Sequence, residues 1–271
     1  MKKIILITGA SSGIGKETAK YLAQQNTTVY ATARRVDKMD DLKNYGVKTM
    51  PLDVTNDESM QAAVNNILAA EGKIDVLINN AGYGSFGALE DVTLSEAKYQ
   101  FEVNVFGLAR LTQLVLPHMR KQHSGKIINI SSMGGKFGEP HGAWYHSTKY
   151  AVEGLSDSLR MELKQFNIDV VLIEPGAIKS EWGGIATDKL LEVSGKTAYK
   201  DLVHKQVKMF DRTYKLVGSE PIVVAKAISK AVFSSNPKTR YAVGGGAKLI
   251  LFFRRILSDK LFDKIMLSQL K

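Results

Sequence analysis

The chain of 271 residues contains no cysteine and has no long hydrophobic run. The absence of cysteine excludes disulfide bonds, thiolate zinc sites and a cysteine nucleophile. No apolar stretch approaches the roughly 20 residues that cross a bilayer as a helix. We therefore expect no transmembrane helix. A reducing cytoplasm is the compartment we expect, although the lack of cysteine does not require it.

Acidic residues are scarce relative to basic ones: 27 Asp and Glu stand against 37 Lys and Arg, a formal charge of +10. The excess is spread along the chain, with a local excess near the C-terminus. Solvated surface lysine explains it most simply, and attraction to anionic ligands or lipids is the alternative. No nucleic-acid-binding motif accompanies the charge, so we expect no nucleic-acid partner.

The overall composition is that of an ordinary globular protein, with 44% hydrophobic and 24% charged residues. These values favour neither disorder nor a fibrous repeat. The chain shows no internal repeat, no low-complexity tract and no linker that would divide it. We expect a single domain over residues 1–271.

A strand, a glycine-rich turn and a helix follow one another at the start of the chain. Lys3 to Thr8 is a short aliphatic run, and Lys16 to Gln25 has helical spacing. Between them Gly9, Gly13 and Gly15 form a GxxxGxG turn. Such glycines let the backbone approach a pyrophosphate, whose charge the helix N-terminus stabilises. This pattern predicts a dinucleotide site.

The second predicted strand, Thr28 to Thr32, ends without an acidic residue and is followed by Arg34 and Arg35. Folds that bind NAD usually place an acid near this point, whereas an arginine accommodates the 2′-phosphate of NADP. Two solvated surface charges are the alternative interpretation. We predict a preference for NADP, with Arg34 at its 2′-phosphate.

Strands and helices alternate along the rest of the chain. Further strands are predicted at Val47–Leu52, Asp75–Ile78, Lys126–Ile130, Asp169–Ile173 and Tyr241–Val243, and helices at Asn56–Ala70, Asp91–Phe101, Val103–Lys121, Trp144–Phe166 and Glu220–Phe233. This order predicts an α/β fold: a Rossmann-like, doubly wound parallel sheet of about seven strands with helices on both faces. Asp53 and Asn80 follow strands at the ligand-binding edge. Asp53 could accept from the adenine amino group or simply cap its loop.

Tyr145 and Lys149 lie four residues apart at the start of a predicted helix, downstream of Ser132. At that spacing an ammonium can sit near a phenol and stabilise its phenolate. A free phenol has a pKa of about 10 and needs such help to transfer a proton at neutral pH. The alternative is a surface tyrosine and lysine on an ordinary amphipathic helix.

Two segments interrupt or follow the alternation. Residues 178–214 are predicted to be irregular and amphipathic, an insertion above the ligand edge that would act as a substrate lid. Residues 247–271 predict a strongly amphipathic helical tail with basic residues opposite its apolar stripe. The tail either folds over the active-site mouth or a neighbouring subunit, which we favour, or makes a weak peripheral contact with an anionic membrane.

Taken together, the motifs resemble the short-chain dehydrogenase/reductase family from Lys3 to about Val243. Each alone is weak, but they occur in the family's order and spacing. They are the TGxxxGxG turn, Asn79-Asn80-Ala81-Gly82, Asn104, Ser132, the Tyr145-xxx-Lys149 pair and Pro175-Gly176.

The resemblance implies a role for individual residues. Tyr145 would be the general acid in carbonyl reduction, Ser132 would hold the substrate oxygen, and Lys149 would hold the nicotinamide ribose and lower the tyrosine pKa. Asn104 would anchor a water-linked proton path, and no metal is implied. The cofactor would contact Gly9, Ser11, Gly13, Ile14, Gly15, Arg34, Asp53, Val54, Asn80, Ala81, Tyr145, Lys149, Pro175, Gly176, Ile178 and Ser180, the last replacing the family's usual threonine.

The leading hypothesis is therefore an NADP-dependent oxidoreductase that interconverts a ketone and a secondary alcohol. The segment 133–142, Phe86, Trp182 and the lid would line a largely apolar pocket, so a hydrophobic ketone is expected. The resemblance also implies a homodimer or homotetramer. A catalytically silent NADP-binding regulator of the same fold is the alternative. An extended epimerase or dehydratase is disfavoured by the glycine spacing and the short C-terminal remainder.

Overall fold

In the computed structural model, which describes residues 2–270, seven strands form one parallel sheet in the order β3-β2-β1-β4-β5-β6-β7. The strands are β1 Lys3–Thr8, β2 Thr27–Ala33, β3 Lys48–Pro51, β4 Val76–Asn79, β5 Gly125–Ile130, β6 Ile168–Pro175 and β7 Arg240–Val243. The order reverses next to β1, as in a doubly wound sheet. The predicted fold class is confirmed.

The central strand β1 is aliphatic throughout because both of its faces are covered. Ile5 and Ile7 belong to a hydrophobic core on one face of the sheet, and Leu6 belongs to the core on the other. All three side chains are fully buried. Burial of one such side chain stabilises the fold by about 1.5–3 kcal/mol, so truncating Leu6 to alanine would open a cavity in the second core.

Ten α-helices are found among residues 2–270, and they cover both faces. They are α1 Gly13–Ala23, α2 Asp57–Glu71, α3 Leu94–Phe101, α4 Gly107–Gln122, α5 Ala143–Leu163, α6 Glu181–Ser194, α7 Lys200–Val217, α8 Ile222–Phe233, α9 Ala247–Ile256 and α10 Asp259–Ser268. Helices α1 and α8 pack into one core, and α2 and α4 into the other. Asn56 caps α2 by accepting a hydrogen bond from the Ser59 amide, as its position predicts.

A π-helical turn over Glu102–Phe106 joins α3 to α4 and carries Asn104. Such turns widen the helix locally and are frequent at functional sites. Pro117 lies inside α4, where its ring removes one backbone hydrogen bond of the helix. The turn brings an asparagine to the inner side of the junction, where its amide needs partners.

One local prediction is wrong, one is incomplete, and one element was missed. Residues 178–214 are not irregular: α6 and α7 occupy most of the segment, because Leu190, Val203 and Phe210 recur at helical spacing and pack in one cluster. The tail is two helices rather than one, separated at Leu257 and Ser258, and its final residue Lys271 lies outside the described residues. A 3₁₀ helix over Val36–Tyr45 was also missed.

Smaller errors concern helix starts. Helix α1 begins at Gly13 and not at Lys16: Gly13 opens the helix with φ +54°, and Gly15 lies in its first turn. Helix α3 begins at Leu94, with Thr93 as its cap, three residues later than predicted. Boundaries of this kind depend on caps that hydrophobic periodicity does not reveal.

Candidate active site

Tyr145 lies in the first turn of α5, and its side chain faces a cluster of aromatic rings. The phenol ring centroid is 5.3 Å from that of Phe86 and 5.1 Å from that of Trp182. The residue is only 8% exposed. This burial raises the pKa of the Tyr145 phenol well above its usual value, and the Ser132 hydroxyl partly opposes the rise.

Ser132 follows β5 directly and comes close to the same phenol. Its Oγ accepts a hydrogen bond of 3.0 Å from the Gly134 amide, which fixes the start of the 3₁₀ turn Met133–Gly135. Ser132 and Tyr145 therefore converge from a strand end and a helix start. One substrate oxygen could contact both hydroxyls at this point.

Lys149 lies one turn after Tyr145, on the same side of α5. Its Nζ is 6.0 Å from the Tyr145 ring centroid and donates a 2.9 Å hydrogen bond to the Ile130 carbonyl oxygen. Burial lowers the pKa of Lys149 to about 8, and the charge of Glu153 partly opposes that change. Burial of the phenol is the largest influence on the Tyr145 pKa, and the lowering expected from Lys149 stays a prediction.

Asn104 is buried, and both its amide oxygen and its amide nitrogen are hydrogen-bonded. Its Oδ1 accepts from the Tyr83 amide at 2.7 Å, and its Nδ2 donates to the Tyr83 carbonyl at 2.8 Å and to Thr148 Oγ1 at 3.0 Å. The side chain thus ties the π-helical turn to α5, beside Lys149. A Cβ on Gly82 would lie 3.8 Å from Asn104 Oδ1 and 4.0 Å from Lys149 Nζ, so these groups share one small volume.

The glycine turn after β1 requires glycine at all three of its positions, and Gly13 has φ +54°. Gly9 has φ +68°, and a Cβ there would lie 2.7 Å from the Ala81 Cα. A Cβ on Gly15 would lie 2.4 Å from Asn80 Nδ2 and 2.4 Å from the Gly9 carbonyl oxygen. The turn is therefore pressed against the loop after β4. A side chain at Gly9 or Gly15 would push the glycine turn away from the loop after β4.

Asn80 and Ala81 hold the glycine turn in place through Thr8. The Asn80 side chain donates to the carbonyls of Thr8 and Gly9 at 2.9 and 3.1 Å, and the amides of Asn80 and Ala81 both donate to Thr8 Oγ1. Thr8 was not among the predicted site residues. Its position directly before the first glycine is the signal that could have identified it.

Helix α1 presents its N-terminus to this turn. The cap residue Ser12 makes no side-chain cap hydrogen bond among residues 2–270, and the first turn carries no acidic residue. Its amides are thus available to an anion. Ile14 packs on the core below, and Ser11 lies at the opposite side of the turn, near Arg35.

The two arginines after β2 diverge. Arg34 donates to the Tyr99 hydroxyl at 2.8 Å, whereas Arg35 reaches Ser11 Oγ at 3.4 Å and forms an ion pair of 3.2 Å with Glu181. Arg35 therefore reaches the glycine turn, whereas the Arg34 guanidinium lies against α3. The sequence pattern singled out Arg34 for a phosphate, and the structure makes Arg35 an equal candidate.

Asp53 and Val54 lie in the loop after β3. The Asp53 carboxylate accepts from the Thr55 amide at 2.9 Å and from its hydroxyl at 2.8 Å, as a loop-capping residue does. Val54 is buried against α4, since a Cβ on Gly107 would lie 2.3 Å from the Val54 carbonyl oxygen. The loop is therefore fixed by its own contacts and by the helix beneath it.

The segment after β6 lies on the side of the glycine turn where α6 begins. Pro175 ends the strand, and a Cβ on Gly176 would lie 2.1 Å from the Gly245 carbonyl oxygen. Ile178 is buried and pairs with Ser219. Ser180 precedes α6, and its Cβ is 3.2 Å from the position of a Cβ on Gly13, so this segment meets the glycine turn.

The predicted apolar pocket contains a buried acid. The rings of Phe86, Trp182 and Phe210 cluster with Tyr145, as an apolar pocket requires. The loop between the 3₁₀ turn and α5 adds Glu139, whose side chain is only 16% exposed. Burial raises the pKa of Glu139 to about 7. Its charge raises the pKa of both the Tyr145 and Tyr214 phenols. The prediction that this pocket is largely apolar missed that charge.

Comparison with known proteins gives one consistent answer. The family model described as short chain dehydrogenase matches residues 3–189. A 3-ketodihydrosphingosine reductase of Bacteroides thetaiotaomicron is 41% identical over 244 residues, covering 89% of this chain and 88% of its own. An NADPH-dependent 3-dehydrocapnine reductase of Ornithobacterium rhinotracheale is 34% identical over 283 residues, covering 98% and 96%.

The solved structures agree. A short-chain dehydrogenase from Streptomyces avermitilis superposes with a TM-score of 0.78 at 33% identity, covering 99% of this chain and 94% of that one. Its likeness extends through α9 and α10, beyond the residues that the family model matches.

Proposed function

The chain belongs to the short-chain dehydrogenase family, and from that premise we propose that it is an NADP(H)-dependent oxidoreductase that interconverts a hydrophobic ketone and a secondary alcohol. One observation carries the proposal: the buried Tyr145 phenol, with Ser132 and Lys149 beside it, lies at the sheet edge that also holds the glycine turn. Ligands of doubly wound sheets bind at that edge.

Three side chains act on the substrate oxygen or near it. Tyr145 gives its proton to the oxygen in reduction and takes it back in oxidation, so charge does not accumulate on that atom. Ser132 holds the same oxygen and orients the carbonyl. Lys149 is held by the Ile130 carbonyl oxygen, and its positive charge stabilises the Tyr145 phenolate that remains once the proton has left. The nicotinamide, when bound, supplies or accepts the hydride.

The residues fit a dinucleotide phosphate. The glycine turn leaves space that any Cβ would fill, and the α1 N-terminus offers its first amides. Arg35 reaches Ser11 of the turn, and Arg34 precedes it in the chain and binds Tyr99. Asp53, Val54, Asn80 and Ala81 would hold the adenosine side. Pro175, Gly176, Ile178 and Ser180 would flank the nicotinamide, together with Tyr145 and Lys149.

The preference for a hydrophobic ketone is supported by the rings around Tyr145 and by the two relatives, whose names give 3-ketodihydrosphingosine and 3-dehydrocapnine as substrates. Support for NADP comes from the arginines after β2 and from the second relative, whose name states NADPH dependence. We assign the enzyme to the cytoplasm as part of the same proposal. Within residues 2–270 no helix is both long and apolar enough to cross a membrane.

The proposal extends to a single domain, with α6 and α7 as the substrate lid, and to a homo-oligomer. The tail supports the latter: Phe262 packs on Phe137 with ring centroids 5.5 Å apart, while Leu249, Phe252 and Ile256 point outward and are 57–61% exposed. We propose that a second copy of the chain covers this outer face. Contact with an anionic membrane is the competing outcome.

The test is NADPH oxidation, followed by absorbance, with a panel of ketones of increasing chain length. Tyr145→Phe should abolish turnover while NADPH binding, followed by fluorescence, persists, because the acid is lost but the phosphate contacts remain. Tyr150→Phe, an exposed tyrosine on the same helix, is the matched control. Near-normal kcat in Tyr145→Phe, or turnover of no ketone, would contradict the proposal and favour a silent binding protein.

A further inference from the structure

Glu139 is a carboxylate in the substrate pocket without a cation of its own. Its side chain is only 16% exposed, and no hydrogen-bond donor among residues 2–270 contacts the carboxylate. The nearest candidate cation is His146, whose Nε2 is 3.9 Å from Glu139 Oε2. A buried charge is costly unless it is paired.

His146 is not that partner, because its ring is held neutral. Nε2 accepts a 3.1 Å hydrogen bond from the Glu139 amide, so the ring proton is on Nδ1, which donates to the Gly134 carbonyl oxygen at 2.8 Å. Burial also lowers the pKa of His146. The carboxylate thus meets a lone pair and not a positive charge.

Hydrogen bonds on both sides of Glu139 fix the backbone of its loop and therefore the direction of its side chain. His146 Nε2 accepts a hydrogen bond from the Glu139 amide, and the Gly142 amide donates to the Glu139 carbonyl oxygen at 3.2 Å. Gln206 of the lid donates to the Pro140 carbonyl oxygen at 2.8 Å. The Gly87 amide donates to the His141 carbonyl at 2.8 Å. A rigid loop therefore presents the carboxylate between the catalytic helix and the lid.

The carboxylate also lies near the reacting position. The His146 ring, 3.9 Å from its Oε2, has its centroid 5.6 Å from that of Tyr145. The carboxylate charge raises the pKa of the phenols of Tyr145 on α5 and Tyr214 on α7. A positive group bound there would offset this negative field at Tyr145 and favour ionisation of the phenol. The same contact would complete the pocket and assist proton transfer.

We propose that Glu139 binds a protonated amine carried close to the substrate carbonyl, so that the enzyme acts on long-chain amino ketones in preference to neutral ketones. This rests on the proposed oxidoreductase function and narrows its substrate class. The aromatic rings take the alkyl chain, Ser132 and Tyr145 take the carbonyl oxygen, and Glu139 takes the ammonium. A carboxylate paired with an ammonium forms a charge-assisted hydrogen bond, which discriminates by about tenfold or more.

The kinetic test compares 2-amino-3-decanone with 3-decanone, as kcat/KM in NADPH oxidation. The wild type should favour the amino ketone by about tenfold or more. Glu139→Gln, which keeps the shape and removes the charge, should bring the ratio of the two values near one, and Glu139→Asp should restore part of it. Glu162→Gln, exposed at the far end of α5, should keep the wild-type ratio.

Equal kcat/KM for the two ketones in the wild type would overturn the proposal, as would an equal loss on both in Glu139→Gln. Calorimetric binding of 2-amino-3-decanol and 3-decanol to the protein with NADP⁺ separates this from the oxidoreductase proposal. Tighter binding of the amine that depends on Glu139, without reduction of any ketone, would sustain the cation site and refute the oxidoreductase. Reduction of ketones with equal binding of the two alcohols would do the reverse.

Discussion

Lys149 donates a 2.9 Å hydrogen bond from Nζ to the carbonyl oxygen of Ile130, the last residue of β5. The strand that delivers Ser132 to the site thus also holds the ammonium one turn below the Tyr145 phenol. A further turn along α5, Glu153 binds Lys136 and Arg240 at 2.7 and 3.0 Å and acts on Lys149 only through its charge.

The first prediction concerns the pH dependence of activity. Glu153 raises the pKa of Lys149, which burial lowers to about 8. Removing the negative charge in Glu153→Gln should lower that pKa further, by roughly one unit. Since the ammonium form is required, the alkaline loss of kcat/KM should move to lower pH by a similar amount. An unchanged pH profile in a variant of normal thermal stability would refute the coupling.

The second prediction concerns the cofactor. The wild type should prefer NADPH to NADH by about tenfold or more, since a charge-assisted contact with phosphate contributes about 1.5 kcal/mol or above. Arg34→Ala and Arg35→Ala should each shrink the ratio of the two Kd values. Arg120→Ala, on the exposed side of α4, should leave it unchanged. Equal affinity of the wild type for both cofactors would count decisively against the assignment.

The third prediction concerns stability. The pKa of Glu139 is raised from an ordinary 4.5 to about 7 in the folded protein, so the unfolded chain releases this proton first. The group therefore stabilises the protein below pH 4.5, and that contribution is lost as pH rises to about 7. Its size is at most about 3 kcal/mol by the usual conversion of pKa shifts.

Denaturant unfolding at pH 5 and pH 8 checks this. Glu139→Gln should remove part of the decline between the two, leaving the part due to Glu174, whose pKa burial also raises to about 7. Glu162→Gln is again the control. If the free energy of unfolding falls equally between pH 5 and pH 8 in the wild type and in Glu139→Gln, the Glu139 carboxylate is not desolvated in the folded protein.

The fourth prediction concerns the tail. Truncation before Ala247 removes α9 and α10, so it should convert the oligomer to a smaller species in light scattering and raise KM for long ketones severalfold. The double variant Phe252→Ser and Ile256→Ser, confined to the exposed face, should affect assembly alone. Unaltered assembly and kinetics, with salt-sensitive sedimentation on anionic liposomes, would favour the membrane instead.

The sheet and its ligand edge could be predicted because both depend on local patterns. Buried parallel strands are continuous aliphatic runs, and glycine turns and strand ends mark the edge where ligands bind. Asn80 and Ser132 were predicted in this way, and Tyr145 and Lys149 from their four-residue spacing on one helix. The regular alternation of strand and helix decided the fold class.

What the sequence did not reveal depends on distant contacts. Glu139 sits in a loop whose pattern is glycine, proline and aromatic residues, and only the packing of α5 and α7 around that loop makes its carboxylate buried. The divergence of Arg34 and Arg35 likewise depends on Tyr99 and Glu181, 65 and 146 residues away in the chain. Helical order in residues 178–214 was missed because glycines and lysines obscured the spacing of the apolar side chains that pack below.

The tail touches the substrate loop itself: Arg254 donates to the Lys136 carbonyl at 3.2 Å, and Phe262 rests on Phe137, two residues before Glu139. Helices α9 and α10, which lie beyond the residues that the family model matches, thus contact the loop that carries the proposed cation site at Glu139. Variation at the C-terminus can create new substrate preferences among descendants without any change to the proton-transfer residues.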